Sequence, residues 1–178
     1  MCFQAAFRFA ARLVAATALS LFLLPSASAA DVVFVCEHGS VKSLIAASLF
    51  ERAAAERGLS YAAVSRGIAP DASVPPSIAS ALARDGFDVS SVKPQVLTTA
   101  DVAGAARVIA IGVDVSADVD GPADVDGPTQ TETWDDIPPA SKDYPAARAA
   151  LQRHIDELLD ELAADRETDG RRTDDRTR

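Results

Sequence analysis

Residues 31–43, DVVFVCEHGSVKS, constrain the chain more than any other stretch, because an apolar run there passes into a tight loop and the loop into a helix. Val32, Val33, Phe34 and Val35 are β-branched or aromatic and predict a buried central strand, while Leu44, Ile45, Leu49 and Ala53 recur at helical spacing. Between the two lie Cys36, Glu37, His38, Gly39, Ser40, Val41, Lys42 and Ser43. In such a loop successive backbone N–H groups, with the positive end of a helix dipole behind them, form a nest for an anion. A cysteine at the mouth of that nest is favoured as its thiolate and is expected to act as a nucleophile beside the anion.

The chain of 178 residues, 48% of them hydrophobic, suits one domain of ordinary size. Its first thirty residues stand apart. Arg8 and Arg12 precede an apolar run from Leu13 to Leu24, followed by Pro25 and the small residues Ala27, Ser28 and Ala29. That order predicts a signal peptide over 1–30 and a periplasmic or secreted protein; an uncleaved anchor helix is the alternative, and the shortness of the run counts against it. A folded domain is expected over 31–164 and a disordered tail over 165–178, where DRETDGRRTDDRTR offers no apolar residue to bury.

Loss of Arg8 and Arg12 with the leader leaves 15 of the 17 basic side chains against 26 acidic ones, a formal charge of −11. So acidic a chain is a poor partner for nucleic acid or an anionic membrane, both of which need a basic face. Cleavage would also remove Cys2 and leave Cys36 as the sole thiol, so no disulfide could form within the chain. A lone loop cysteine kept in an oxidising compartment points to chemistry.

Further along, helices are expected over 43–57, ended by Gly58, and over 75–85, started by Pro75 and Pro76 and ended by Gly86. Thr98 or Thr99 caps a short helix through Ala105, and a long amphipathic helix from Pro145 carries Ala147, Leu151, Ile155, Leu158 and Leu162 inward. Strands are expected at 61–64 and 108–113, a little strand within Phe87–Val92, and a last strand at Thr131–Trp134. Strands alternating with helices define a parallel α/β sheet, with the cysteine loop at the carboxyl end of strand one, where such sheets bind ligands. The tandem ADVDGP repeat at 117–128 reads as a solvated loop rather than a calcium site, since its aspartates lack EF-hand spacing.

CEHGSVKS resembles the phosphate loop of the cysteine phosphatases, Cys-(five residues)-Arg-Ser/Thr, with lysine in place of arginine. Its position after the first strand, together with AVSRGIAPD, GFDVSSVKPQVLTTADV and RVIAIGVD, resembles the low-molecular-weight protein tyrosine phosphatases and the arsenate reductases of the same fold. The resemblance covers residues 31 to about 163. It implies a three-layer α/β sandwich around a central four-stranded parallel sheet of flavodoxin-like topology, a monomer, and no cofactor.

It also implies roles. Cys36 would attack phosphorus and form a phosphocysteine, residues Glu37 to Val41 would hold the oxyanion, Ser43 would support the thiolate and Lys42 would stand where the family has arginine. The substrate would be a phosphorylated small molecule or a phosphotyrosine protein, with phosphate or arsenate as the bare oxyanion. The leaving group needs a proton from a late aspartate. The family's Asp-Pro spacing from tryptophan lands on Pro138 in WDDIPP, which leaves Asp136, favoured, or Asp135. Arg66 is expected to reach the pocket and restore a guanidinium, with a surface ion pair as its blander role. Zinc is disfavoured at Cys36, Glu37 and His38, for want of a fourth ligand. His38 is expected to hydrogen-bond within the loop and His154 to lie on a helix surface. Alternatives to the phosphatase are an oxyanion-binding protein without turnover and, with no relay cysteine after Cys36, an arsenate reductase that borrows an external thiol.

Overall fold

The computed structural model describes residues 30–115 and 130–176. The leader and the ADVDGP repeat therefore lie outside the described residues. In chain order the elements are β1 (Val32–Cys36), α1 (Lys42–Glu56), β2 (Ala63–Gly67), α2 (Pro76–Arg84), α3 (Thr99–Gly104), β3 (Arg107–Ile111), β4 (Gln130–Trp134) and α4 (Tyr144–Arg176). The four strands form one parallel sheet in the order β2-β1-β3-β4.

Burial explains that order. All five residues of β1 and of β3 are buried, as expected of central strands covered on both faces, whereas β2 and β4 are only partly covered and take the edges. Val32, Phe34 and Cys36 face a core built with Ile45, Leu49 and Phe50 of α1, Ile78 and Leu82 of α2, and Leu151, Ile155 and Leu158 of α4. Phe34 sits at its centre, 5.6 Å from the Phe50 ring and 5.7 Å from Trp134. Val33 and Val35 face the other way, onto Val108, Ala110 and Val115, with Leu97 and Val102 outside them. Helices thus cover both faces of a four-stranded parallel sheet.

Three boundaries differ from the sequence reading. The second strand is Ala63–Gly67 rather than 61–64, because its register against β1 runs from Val32↔Ala63 to Cys36↔Gly67 and draws Ser65, Arg66 and Gly67 into the sheet. No strand forms within Phe87–Val92; Val96 instead bridges to Gly67. The helix expected to fade after residue 164 continues to Arg176. Contacts to the sheet end hold its first residues beyond 164: Asp165 pairs with Arg107, and the Arg166 guanidinium lies 3.9 Å over the Tyr61 ring.

Candidate active site

α1 opens without a side-chain cap. Val41, its first flanking residue, has φ −125° and ψ −93°, so the turn is set by the loop before it and not by a Ser, Thr or Asp hydroxyl or carboxylate. The first N–H groups of α1 have no helical partner and stand directly after the cysteine loop, the arrangement that favours an anion.

The loop is held from one side. The carbonyls of Cys36, Glu37 and His38 accept hydrogen bonds from the N–H groups of Ile68, Ala69 and Asp71, at 3.2, 2.8 and 3.1 Å. Across planar trans peptides the next N–H groups, those of Glu37, His38 and Gly39, point away from that segment. Gly39 adopts φ +64°, and a Cβ there would meet the Gly67 nitrogen at 2.8 Å. Gly67 faces the same limit: its own Cβ would meet the Gly39 nitrogen at 2.7 Å. Two glycines, one in the loop and one at the end of β2, therefore let the backbones touch.

Side chains complete the support. Asp71 accepts a hydrogen bond from the fully buried Ser40 hydroxyl and stands 3.8 Å from His38 Nδ1. Among the described residues the His38 ring makes no hydrogen bond within its loop, and Asp71 stands beyond hydrogen-bond distance on its Nδ1 side. Cys36 is 3% exposed, and its Sγ lies 3.1 Å from Ser43 Oγ, itself fully buried. With the cysteine ionised, the Ser43 hydroxyl donates and the sulfur accepts. Cys36, Glu37, His38, Val41 and Lys42 open onto a cavity of about 180 Å³, closed on the far side by Ile111, Gly112, Pro139, Ala140 and Ser141. Lys42 crosses this cavity, and its Nζ comes within 2.7 Å of where a Cβ on Gly112 would stand. Among the described residues no carboxylate pairs with Lys42.

Three expected participants are elsewhere. Arg66 shares a register position with Val35 and so projects on the sheet face opposite Cys36; its Nη2 pairs with Asp101 at 2.7 Å and its Nη1 donates to the Ser65 carbonyl. Burial pushes the Asp101 carboxyl up, but hydrogen bonds from Arg66 and from Thr98 more than reverse this and hold it below its ordinary value. Asp136 is turned onto α4, 2.7 Å from His154 Nε2 and 3.9 Å from Arg153. The hydrogen bond from His154 lowers its carboxyl, opposite to what a proton donor needs. His154 is accordingly not a bare surface residue: its ring stacks on Trp134 at 4.7 Å, with 19° between the planes. Asp135 lines an adjoining hollow, with Val113, Asp114, Thr133 and the Gly112 that it shares with the cysteine cavity. The late loop meets the cavity with Pro139, Ala140 and Ser141, none of which titrates.

Sequence reasoning missed Asp71, Gly67 and Gly112. Gly67 had a usable signal, since a glycine ending a short strand marks a close backbone approach. Asp71 had none, because nothing local ties it to a loop thirty residues earlier.

A cysteine at the end of the first strand of a parallel α/β sheet, a loop wrapped by glycine contacts and an uncapped helix start meet at the carboxyl end of the sheet, where such folds place their ligand sites. The sequence profile of the low molecular weight phosphotyrosine protein phosphatases matches residues 31–121, and the chain belongs to that family. No curated protein matches it in sequence. Among solved structures, a low molecular weight protein tyrosine phosphatase from T. tengcongensis superposes with TM-score 0.62 at 21% identity, over 73% of this chain and 97% of the other. The YwlE arginine phosphatase of Bacillus subtilis, with a phosphorylated active-site serine, gives TM-score 0.65 at 19% identity, over 77% and 98%. A thioredoxin-dependent arsenate reductase of Corynebacterium glutamicum gives 0.55 at 22%, over 75% of this chain but only 61% of its own. At these identities the likeness is one of fold.

Proposed function

We propose that the protein is a phosphomonoesterase that transfers a phosphoryl group to Cys36. The observation that carries this reading is the Cys36 sulfur held 3.1 Å from the buried Ser43 hydroxyl at the wall of a cavity that also receives Lys42. Cys36 attacks phosphorus, loop N–H groups and the start of α1 take the negative charge of the equatorial oxygens, and Lys42 supplies the positive charge. Lysine is a point charge without the two-pronged grip of a guanidinium, so transition-state binding is weaker than an arginine would give. Phosphotyrosine proteins or small aryl phosphates are the substrate class, and free phosphate or arsenate is the competing oxyanion. Export through the leader at 1–30 belongs to the same proposal. Cell fractionation with N-terminal sequencing checks it, and a mature chain starting at Ala30 or Asp31 is expected.

The test is hydrolysis of p-nitrophenyl phosphate under reducing conditions. Turnover is expected to vanish in Cys36→Ser and to rise in Lys42→Arg. A second reading, an oxyanion binder without turnover, draws on the absence of Asp135 and Asp136 from the cavity lining. It predicts that phosphate raises the melting temperature by mass action while neither the native protein nor Lys42→Arg turns over. Arsenate reduction would need an external thiol, since Cys2 is the only other cysteine in the sequence.

A further inference from the structure

Breaking a phosphate ester with a basic leaving group requires a proton for the leaving oxygen, and the late loop brings no titratable side chain to the cavity. Three titratable groups besides the nucleophile line it: Glu37, His38 and Lys42. Lys42 is needed as a cation. The Glu37 carboxylate has no side-chain partner among the described residues to orient it; its backbone carbonyl accepts from the Ala69 N–H. His38 has Asp71 on its Nδ1 side, 3.8 Å away, and Asp71 is itself fixed by the buried Ser40 hydroxyl and by its own backbone N–H on the His38 carbonyl. A carboxylate on the Nδ1 side orients the ring and leaves Nε2 as the nitrogen free to exchange a proton.

We propose that His38 is the catalytic proton donor of this site and that Asp71 is its positioning residue. The proposal rests on the phosphoryl-transfer reading above. In the first step the Cys36 sulfur forms the S–P bond as the P–O bond breaks, and the departing oxygen keeps the bonding pair and takes the proton from Nε2. His38 is left neutral. In the second step neutral His38 removes a proton from water as the water oxygen attacks phosphorus; the S–P bond breaks, the electron pair returns to sulfur, and inorganic phosphate leaves. The charged and titratable groups around His38 are Asp71 from the segment after β2 and Glu37, Lys42 and Cys36 from its own loop and α1. From the β3 end and the late loop come Ile111, Gly112, Pro139, Ala140 and Ser141, which contribute no charge.

The experiment compares two esters, p-nitrophenyl phosphate, whose leaving group departs without help, and phenyl phosphate, whose leaving group needs a proton. His38→Gln is expected to lower kcat/KM for phenyl phosphate by roughly 10²-fold or more while changing p-nitrophenyl phosphate only a fewfold. With phenyl phosphate the native rate falls on the alkaline side as the imidazolium loses its proton, and this limb is expected to disappear in His38→Gln. Asp71→Asn is expected to lower phenyl phosphate several-fold with p-nitrophenyl phosphate little changed, because the ring loses its positioning partner. Ser40→Ala, which releases the Asp71 carboxylate, is expected to lower phenyl phosphate more than p-nitrophenyl phosphate, in the same sense as Asp71→Asn. Melting temperatures show that each variant is folded. An equal loss on both esters in His38→Gln, or a selective loss in Glu37→Gln in its stead, would overturn the assignment while leaving the phosphatase reading intact. Native protein inactive on both esters would overturn the phosphatase reading itself and the proton donor with it.

Discussion

The cysteine loop and the loop that follows β4 face each other across one cavity, and they are built in opposite ways. The first is fixed by its own backbone: three carbonyls tied to residues 68–71, a left-handed glycine, and a glycine-to-glycine contact that no side chain can enter. The second reaches the cavity with proline, alanine and serine, while its acidic residues are not among the cavity's lining, Asp136 pairing with His154 and Asp135 lining the hollow on the other side of Gly112. Anion binding asks for backbone in one conformation, and a short sequence can specify that. Proton delivery asks for one side chain aimed correctly, and here the facing helix α4 decides where the carboxylate goes.

The comparison is broken most directly at the glycine contact. Gly39→Ala places a Cβ 2.8 Å from the Gly67 nitrogen at a φ that favours glycine, and both partners are backbone that cannot swing aside. A loss of roughly 2–4 kcal/mol in stability is expected from the combined strain and overpacking, read by urea denaturation. Turnover of p-nitrophenyl phosphate should fall by about 10²-fold even in folded protein, because the nest is displaced. Gly112→Ala is a milder version on the far wall. It also sits at positive φ, but its neighbour is the flexible end of Lys42. We expect about 1 kcal/mol of destabilisation and a several-fold weaker phosphate affinity as Nζ shifts, measured by thermal denaturation with and without phosphate.

The smallest effect is expected at Asp136. Were the late loop the proton donor, Asp136→Asn would cost about 10²-fold or more on phenyl phosphate; with Asp136 held by His154 the change should stay within about twofold. Its signature belongs in acid stability. The folded-state carboxyl is lowered, chiefly by the hydrogen bond from His154, so its contribution is present above the ordinary carboxylate value of about 4 and is lost as pH falls through the lower folded value. Asp136→Asn should therefore melt with a shallower dependence on pH below about 4, by an amount typical of an exposed pair.

Much of the fold was legible because its signals are local. The run Val32–Val35 could only be a buried strand, the helix that follows carries its apolar residues at helical spacing, and a glycine ends α1 where a left-handed residue was expected. Cys36, Ser43 and Lys42 meet because they are neighbours across a strand, a loop and one turn of helix. β2 was placed early because its strand character is set by pairing with β1 rather than by its own composition, SRG being poor strand material. Arg66 and Asp136 were misplaced for a related reason: long or exposed polar side chains go to the strongest partner available, and Asp101 and His154 are brought near only by the fold.

By itself the sequence determined a strand, a loop and a helix that bring a cysteine and a cation to one cavity, since those geometries follow from backbone preference over a dozen residues. Tertiary structure alone decided what surrounds them. Asp71 arrives behind His38, Gly67 beneath Gly39 and Gly112 beside Lys42 through parallel pairing of strands far apart in the chain, a contact pattern that no local propensity encodes.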